Sequence, residues 1–270
     1  MARQFTPYEY SHLAKHGFSG PDLREFVNDD IPVEYITGHV DFKGQDFIIN
    51  SNVLIPRVET EEIIDLGLEL IKDKIELNKL ITFYDIGTGS GAIGISFAKE
   101  LLKQGIHFHG YLSDKSKSAI KVALKNAKNI FDLNVRVIES DDELKITIDF
   151  DRFDFIKIFE SNLLTHYFAP KADIIFANLP YIPSSRINQL DASVKNFEPL
   201  TALDGGEDGL ELIRLLINQA PKYLKKNGYL ILEVDDTHED SKEFNKEWKV
   251  EIRTDFLGKN RFWILKQKSL

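Results

Sequence analysis

Residues 80–94 read Leu80-Ile81-Thr82-Phe83-Tyr84-Asp85-Ile86-Gly87-Thr88-Gly89-Ser90-Gly91-Ala92-Ile93-Gly94, an apolar run passing directly into alternating glycines. The run at 80–86 has the length and the β-branched and aromatic content of a buried parallel strand, and 92–103 has the pattern of a helix. Gly87, Gly89 and Gly91 let the backbone turn and approach a ligand at the strand's C-terminal end, where open α/β sheets bind. This unit sets the fold class as α/β with a Rossmann-like sheet. The loop alone serves dinucleotide and nucleoside ligands alike, and Gly89, Gly91 and Gly94 formally complete a dinucleotide fingerprint. Asp85 would put negative charge beside a pyrophosphate, so the Asp-x-Gly-x-Gly-x-Gly composite suits a ligand without phosphate better. A tight turn without a ligand is the structural alternative.

Downstream, a second strand at 106–112 ends near Asp114, whose carboxylate can accept both hydrogen bonds of a ribose diol or cap the helix expected at 117–129. Its place after the glycine loop favours the ligand role. The alternating residues of 133–160 exceed what one crossover needs, so one strand joins the sheet and the rest forms an inserted hairpin around Asp141-Asp142-Glu143. Ser161-Asn162-Leu163-Leu164 follows at another strand end. The buried strand Asp173-Ile174-Ile175 then enters Phe176-Ala177-Asn178-Leu179-Pro180-Tyr181-Ile182-Pro183, where Pro180 imposes a turn. The polar stretch 184–209 reads as a functional cover. A helix at 210–224, a strand at 228–234 and an antiparallel pair at 248–254 and 261–266 complete the domain, with Trp248 and Trp263 as packing residues.

Upstream, Val40, Phe42, Phe47, Ile49, Val53 and Ile55 lie near period two around Lys43-Gly44-Gln45, the pattern of a hairpin. A helix follows Pro56, its acidic start at Glu59, Glu61 and Glu62 suiting the dipole. Arg57 and Glu59 read either as a surface ion pair or as residues that shape a pocket. The first thirty residues, with a short helix at 22–28, form an appendage too small for its own core. The chain thus divides into 1–55, appendage and hairpin, and 56–270, the main domain.

Among its 270 residues, 43% are hydrophobic and 29% charged, as in ordinary soluble globular proteins. A formal charge of -9 disfavours direct nucleic-acid binding and is compatible with docking onto a basic protein. With no cysteine, thiolate metal sites and cysteine nucleophiles are excluded. No stretch has membrane-spanning length and no apolar leader is present, so a cytoplasmic location is expected.

The side chain of Asn178 carries both an acceptor and a donor, so it can hold a planar amide or amino group, with the Leu179 backbone carbonyl taking a second N–H. A nitrogen so held has its lone pair oriented for in-line transfer without covalent catalysis. Pro180 fixes the turn, and the Tyr181 ring can pack over the amide plane and exclude water. The alternative is a strand-terminating turn with Tyr181 in the core.

Four blocks, in order, resemble the protein-(glutamine-N5) methyltransferases of peptide chain release factors: Tyr35-Ile36-Thr37-Gly38 with Ile55-Pro56-Arg57-Val58-Glu59-Thr60-Glu61; Asp85 to Ile93; Ala177 to Pro183; and Phe197-Glu198-Pro199-Leu200 through Asp204-Gly205-Gly206-Glu207-Asp208-Gly209-Leu210. The resemblance implies a seven-stranded class I methyltransferase sheet that takes S-adenosyl-L-methionine, yields S-adenosyl-L-homocysteine and needs no metal. It assigns Asp85, Gly87, Thr88, Gly89, Ser90, Gly91, Asp114, Asn162, Leu163 and Asn178 to the cofactor, and Asn178, Leu179, Pro180 and Tyr181 to the Asn-Pro-Pro-Tyr motif. The acceptor would be the glutamine of a release factor's Gly-Gly-Gln loop.

Three departures stand out. Leu179 replaces the first proline of the motif, Asn162 stands where the family has an acid near the adenine, and about thirty residues precede Tyr35 where the family has a helical domain that grips the release factor. Other readings are a ribosomal-protein glutamine methyltransferase, an adenine-N6 methyltransferase of nucleic acid, and a cofactor-binding protein without catalysis.

Overall fold

A computed structural model describes residues 4–19, 30–77, 79–131, 145–150, 154–165, 169–238 and 242–268. The first helix, α1 (Pro7–Lys15), starts at a capping box in which Thr6 and Glu9 each accept from the other's backbone N–H. After α2 (Val33–Thr37), β1 (His39–Phe42) and β2 (Gln45–Ile48) pair antiparallel across the turn Lys43-Gly44. Val40, Phe42, Phe47 and Ile49 enter the main core, as the period-two pattern requires.

The main domain runs α3 (Glu62–Leu70), α4 (Lys72–Glu76), β3 (Ile81–Ile86), α5 (Ala92–Lys103), β4 (Phe108–Asp114), α6 (Lys117–Phe131), β5 (Lys145–Asp149), β6 (Phe155–Glu160) and β7 (Ala172–Ala177). It continues with α7 (Ala192–Lys195), α8 (Glu211–Gln219), β8 (Leu224–Glu233), β9 (Trp248–Thr254) and β10 (Asn260–Gln267). The sheet order is β5-β6-β4-β3-β7-β8-β10-β9. The five strands from β6 to β8 in that order are parallel, and β5, β10 and β9 each pair antiparallel with their neighbours.

Eight strands stand where seven were expected, because β5 adds an antiparallel edge beside β6. The turn expected at Asp141-Asp142-Glu143 and the short helix expected at 22–28 lie outside the described residues. β4 extends through Asp114 because Ser113 and Asp114 continue the pairing with Phe159 and Glu160. α8 stops at Gln219, and Pro221 sits in a single 3-10 turn, so β8 begins at Leu224 rather than at 228.

β3 and β7 are buried at every position because cores cover both faces of the sheet. On one face Phe97 of α5 meets Phe83 and Phe176 edge-on, at centroid distances of 5.1 and 4.8 Å. Truncating such a ring to alanine costs roughly 3–5 kcal/mol. The other face packs on α8 and includes Trp248 and Trp263, both packing residues as expected. These two cores hold the parallel strands rigidly, and their C-terminal ends open along one edge.

Candidate active site

The ends of β3, β4, β6 and β7 open into one cleft lined by Gly87, Thr88, Gly89, Ser90, Asp114, Asn162, Leu163, Asn178, Leu179 and Pro180. Its other walls include Pro56 and Thr60, which follow the hairpin, and Pro199, Thr201 and Ala202 of the cover. Three residues expected at the site do not line it: Asp85, Gly91 and Tyr181.

Asp85 lies under the loop. Its Oδ2 accepts from Thr88 Oγ1 at 2.5 Å and from the Gly94 backbone N–H at 2.9 Å. Burial raises its pKa from 3.8 to about 6, against the pull of those two donors. The role read for it at the ligand gives way to one of holding the loop. Gly91 likewise packs inward, where a Cβ would meet Ile95 and Ala123.

Gly87 has φ 72°, and a Cβ there would fall 2.8 Å from Leu179 Cδ2. The leucine that replaces the motif's first proline therefore occupies space that only glycine leaves. Glycine loop and Asn178 turn interlock at this contact.

Asp114 accepts from Gly89 N at 3.0 Å and from Ser116 N at 2.8 Å. Ser116, whose Oγ accepts from Ala119 N at 3.2 Å, caps α6 in its place. Burial raises the Asp114 pKa, while the two backbone donors lower it. At the end of β6, Leu163 adopts φ 55°, braced by Ser161 Oγ, which donates to the carbonyls of Leu163 and Thr165 at 2.9 and 2.6 Å. That turn sets Asn162 on the cleft wall. Buried Asn126 of α6 joins the hairpin to the loop, donating to the carbonyls of Ile48 and Ser90, each at 2.8 Å.

At the end of β7, Asn178 Nδ2 donates to Thr60 Oγ1 at 3.4 Å. The carboxylate of Glu233, a residue only 1% exposed at the end of β8, is near enough to Thr60 for the hydroxyl to draw its pKa down. Tyr181 donates to the same carboxylate at 3.3 Å. Its ring packs on the second core, not over the cleft, which corrects the expected packing against a substrate amide. Burial raises the pKa of both Tyr181 and Glu233, with Thr60 and Arg261 drawing Glu233 back down. The Thr60 hydroxyl oxygen gives a lone pair to the Asn178 NH2. Asn178 is thereby turned so that its Oδ1, not its NH2, is left for the cleft. Thr60 and Glu233 were not singled out from the sequence. The available signal was a carboxylate closing the buried run Ile231-Leu232-Glu233-Val234.

The cover is a series of short helical turns pinned to the same motif. Ile182 donates to the Leu203 carbonyl at 3.1 Å and accepts from Gly205 N at 2.9 Å. A Cβ on Gly205 would fall 2.7 Å from the Pro180 carbonyl oxygen. Arg57 pairs with buried Glu198 at 2.5 Å, tying the loop after the hairpin to the cover. Its described partner is thus Glu198, not Glu59.

A family model described as a methyltransferase domain matches residues 77–268. The release factor glutamine methyltransferase of Bacillus anthracis is 36% identical over 213 residues, 78% of this chain and 66% of that protein. That of Clostridium acetobutylicum is 35% identical over 236 residues, 86% of this chain and 73% of that protein. The chain thus spans about two thirds of the length of these curated relatives. A methyltransferase from Pyrococcus furiosus shares the fold, with TM-score 0.54 at 15% identity over 94% of this chain and 100% of that one. Identity of 35–36% over 213 and 236 residues with these relatives makes this chain a member of the release factor glutamine methyltransferase family.

Proposed function

We propose that the protein transfers a methyl group from S-adenosylmethionine to the side-chain amide nitrogen, N5, of the glutamine in a release factor's Gly-Gly-Gln loop. The observation that carries this reading is the orientation of Asn178 by Thr60 at the cleft wall.

The cleft suits a nucleoside without phosphate. Gly89 N–H, which a phosphate would claim, is committed to Asp114. Asp114 holds the ribose diol and the Asn162 carbonyl accepts from the adenine amino group. When bound, S-adenosylmethionine supplies an electrophilic methyl on a sulfonium.

Asn178 Oδ1 accepts one N–H of the substrate amide and the Leu179 carbonyl accepts the other. This grip turns the weakly nucleophilic nitrogen's lone pair out of conjugation and towards the methyl; the N–C bond forms as the S–C bond breaks, and the nitrogen releases a proton to solvent. Positioning supplies most of the rate enhancement, since no described residue is placed for covalent attack. A release factor as acceptor puts the reaction in the cytoplasm. Among the described residues no helix is long and apolar enough to cross a membrane.

The test is labelled-methyl transfer to full-length release factors, with Gly-Gly-Gln→Gly-Gly-Ala variants, ribosomal proteins and DNA alongside. Label confined to the Gly-Gly-Gln factors supports the reading. Label on the alanine variants, on ribosomal protein or on DNA defeats it.

A further inference from the structure

Outside the cleft lining, the end of α1 meets the hairpin at a cluster of imidazoles. His16 and His39 stack at 4.7 Å between centroids and 18° between planes, and His12 lies 4.8 Å from His16. His39 Nδ1 lies 2.9 Å from Asp46 Oδ2. One donor atom each from His16, His39 and Asp46 fall within 4.8 Å of one another. His16 Nε2 is shielded from solvent and has no hydrogen-bond partner among the described residues.

That last feature has a cost: an imidazole nitrogen removed from water and left unpaired loses a hydrogen bond. The surrounding groups do not offer one. His12 gives its Nε2 to Thr37 at 2.9 Å, and the Asp46 carboxylate is engaged by His39. Two imidazoles and one carboxylate, borne on a helix end and on both strands of a hairpin, form a nitrogen and oxygen donor set of the zinc class.

We propose that His16, His39 and Asp46 bind a divalent transition-metal ion, zinc by preference, that staples α1 to the hairpin. Ligands on a tetrahedral zinc lie about 3.3 Å apart, given metal–ligand bonds of roughly 2.0–2.1 Å. The His39–Asp46 pair, at 2.9 Å, opens by a few tenths of an ångström to reach that spacing, and the His16 side chain swings inward.

The staple has something to hold. A nine-residue helix is marginal alone, and α1 is otherwise fixed by the small cluster Phe5, Leu13 and Val33, by the His12–Thr37 hydrogen bond and by the exposed pairs Lys15–Asp41 and Tyr8–Glu34. The hairpin it joins is bonded through Asn126 to the glycine loop. The site lies outside the methyl-transfer chemistry, so it stands or falls separately from the function proposed above.

The experiment is calorimetric titration of the full, untagged, metal-stripped chain with zinc chloride, repeated with His16→Ala, Asp46→Asn and, as a remote control, His107→Ala. The expected result is one ion per chain, affinity falling at least about tenfold in each of the first two variants and unchanged in the third. Cobalt(II) should give visible bands of tetrahedral intensity that zinc abolishes. Circular dichroism of each variant confirms that its fold is kept. Zinc uptake that is absent, substoichiometric, or equal in wild type and the His16→Ala and Asp46→Asn variants would overturn the proposal.

Discussion

The side-chain amide of Asn178 takes its direction from Thr60: the 3.4 Å bond between them uses the asparagine's NH2 and leaves its carbonyl to the cleft. The Thr60 hydroxyl oxygen is the acceptor in that bond. Thr60→Val keeps the shape and removes the hydroxyl, so Asn178 is free to flip. Turnover should fall about tenfold, the equivalent of one oriented hydrogen bond, with cofactor affinity within roughly twofold of wild type. Thr60→Ser should restore most of the loss. Saturating kinetics with a release factor, together with cofactor titration, checks this.

Tyr181 donates to the Glu233 carboxylate and does not line the cleft. Tyr181→Phe should therefore cost about 2 kcal/mol of stability, through a buried acceptor left short of a donor, and less than about threefold in turnover. Urea denaturation and initial rates separate the two effects. A Tyr181 ring packed over the substrate would give the opposite split.

These two residues show how far the sequence could be read. The strand, loop and helix at 81–103, the hairpin around Lys43-Gly44 and the pair of strands at the C-terminus follow from periodicity and turn chemistry, and α5 and β9 have the bounds expected. Periodicity also placed Asn178, Asp114 and Asn162 at strand ends that share one edge. It could not say where side chains at those ends point. Asp85 turns under its loop and Tyr181 towards the core, because each has a buried partner supplied from elsewhere in the chain. Arg57 and Glu198 are 141 residues apart, so no local pattern could pair them. β5 pairs within the alternating stretch whose extra strand was legible, but its place at the sheet edge was not.

Asp85 provides a pH signature. Its pKa is raised from 3.8 to about 6 in the fold, chiefly by burial, so between those values the folded chain holds a proton that the unfolded chain has released. Its contribution therefore favours folding at acid pH and is lost as pH rises through about 6. Relative to Asp85→Asn, wild type should gain roughly 2 kcal/mol on going from pH 7 to pH 4. Urea titrations of both proteins across that window measure the difference; parallel profiles would contradict the buried, proton-binding carboxylate.

Gly87 and Leu179 should be energetically coupled. Gly87→Ala forces a side chain into positive φ and drives its Cβ to 2.8 Å from Leu179 Cδ2, a combined cost of roughly 2–3 kcal/mol. Adding Leu179→Ala removes the collision but not the backbone strain. The double-mutant cycle should show at least about 1 kcal/mol of coupling by chemical denaturation.

The most direct measurement is single-turnover transfer of labelled methyl to a full-length release factor by wild type and Asn178→Ala, with cofactor affinity determined for both. The expected result is a rate lowered by at least about a hundredfold in the variant, with cofactor affinity within roughly threefold, since the lost group orients the acceptor. An unchanged rate in Asn178→Ala would contradict the assignment of that side chain as the grip on the accepting amide.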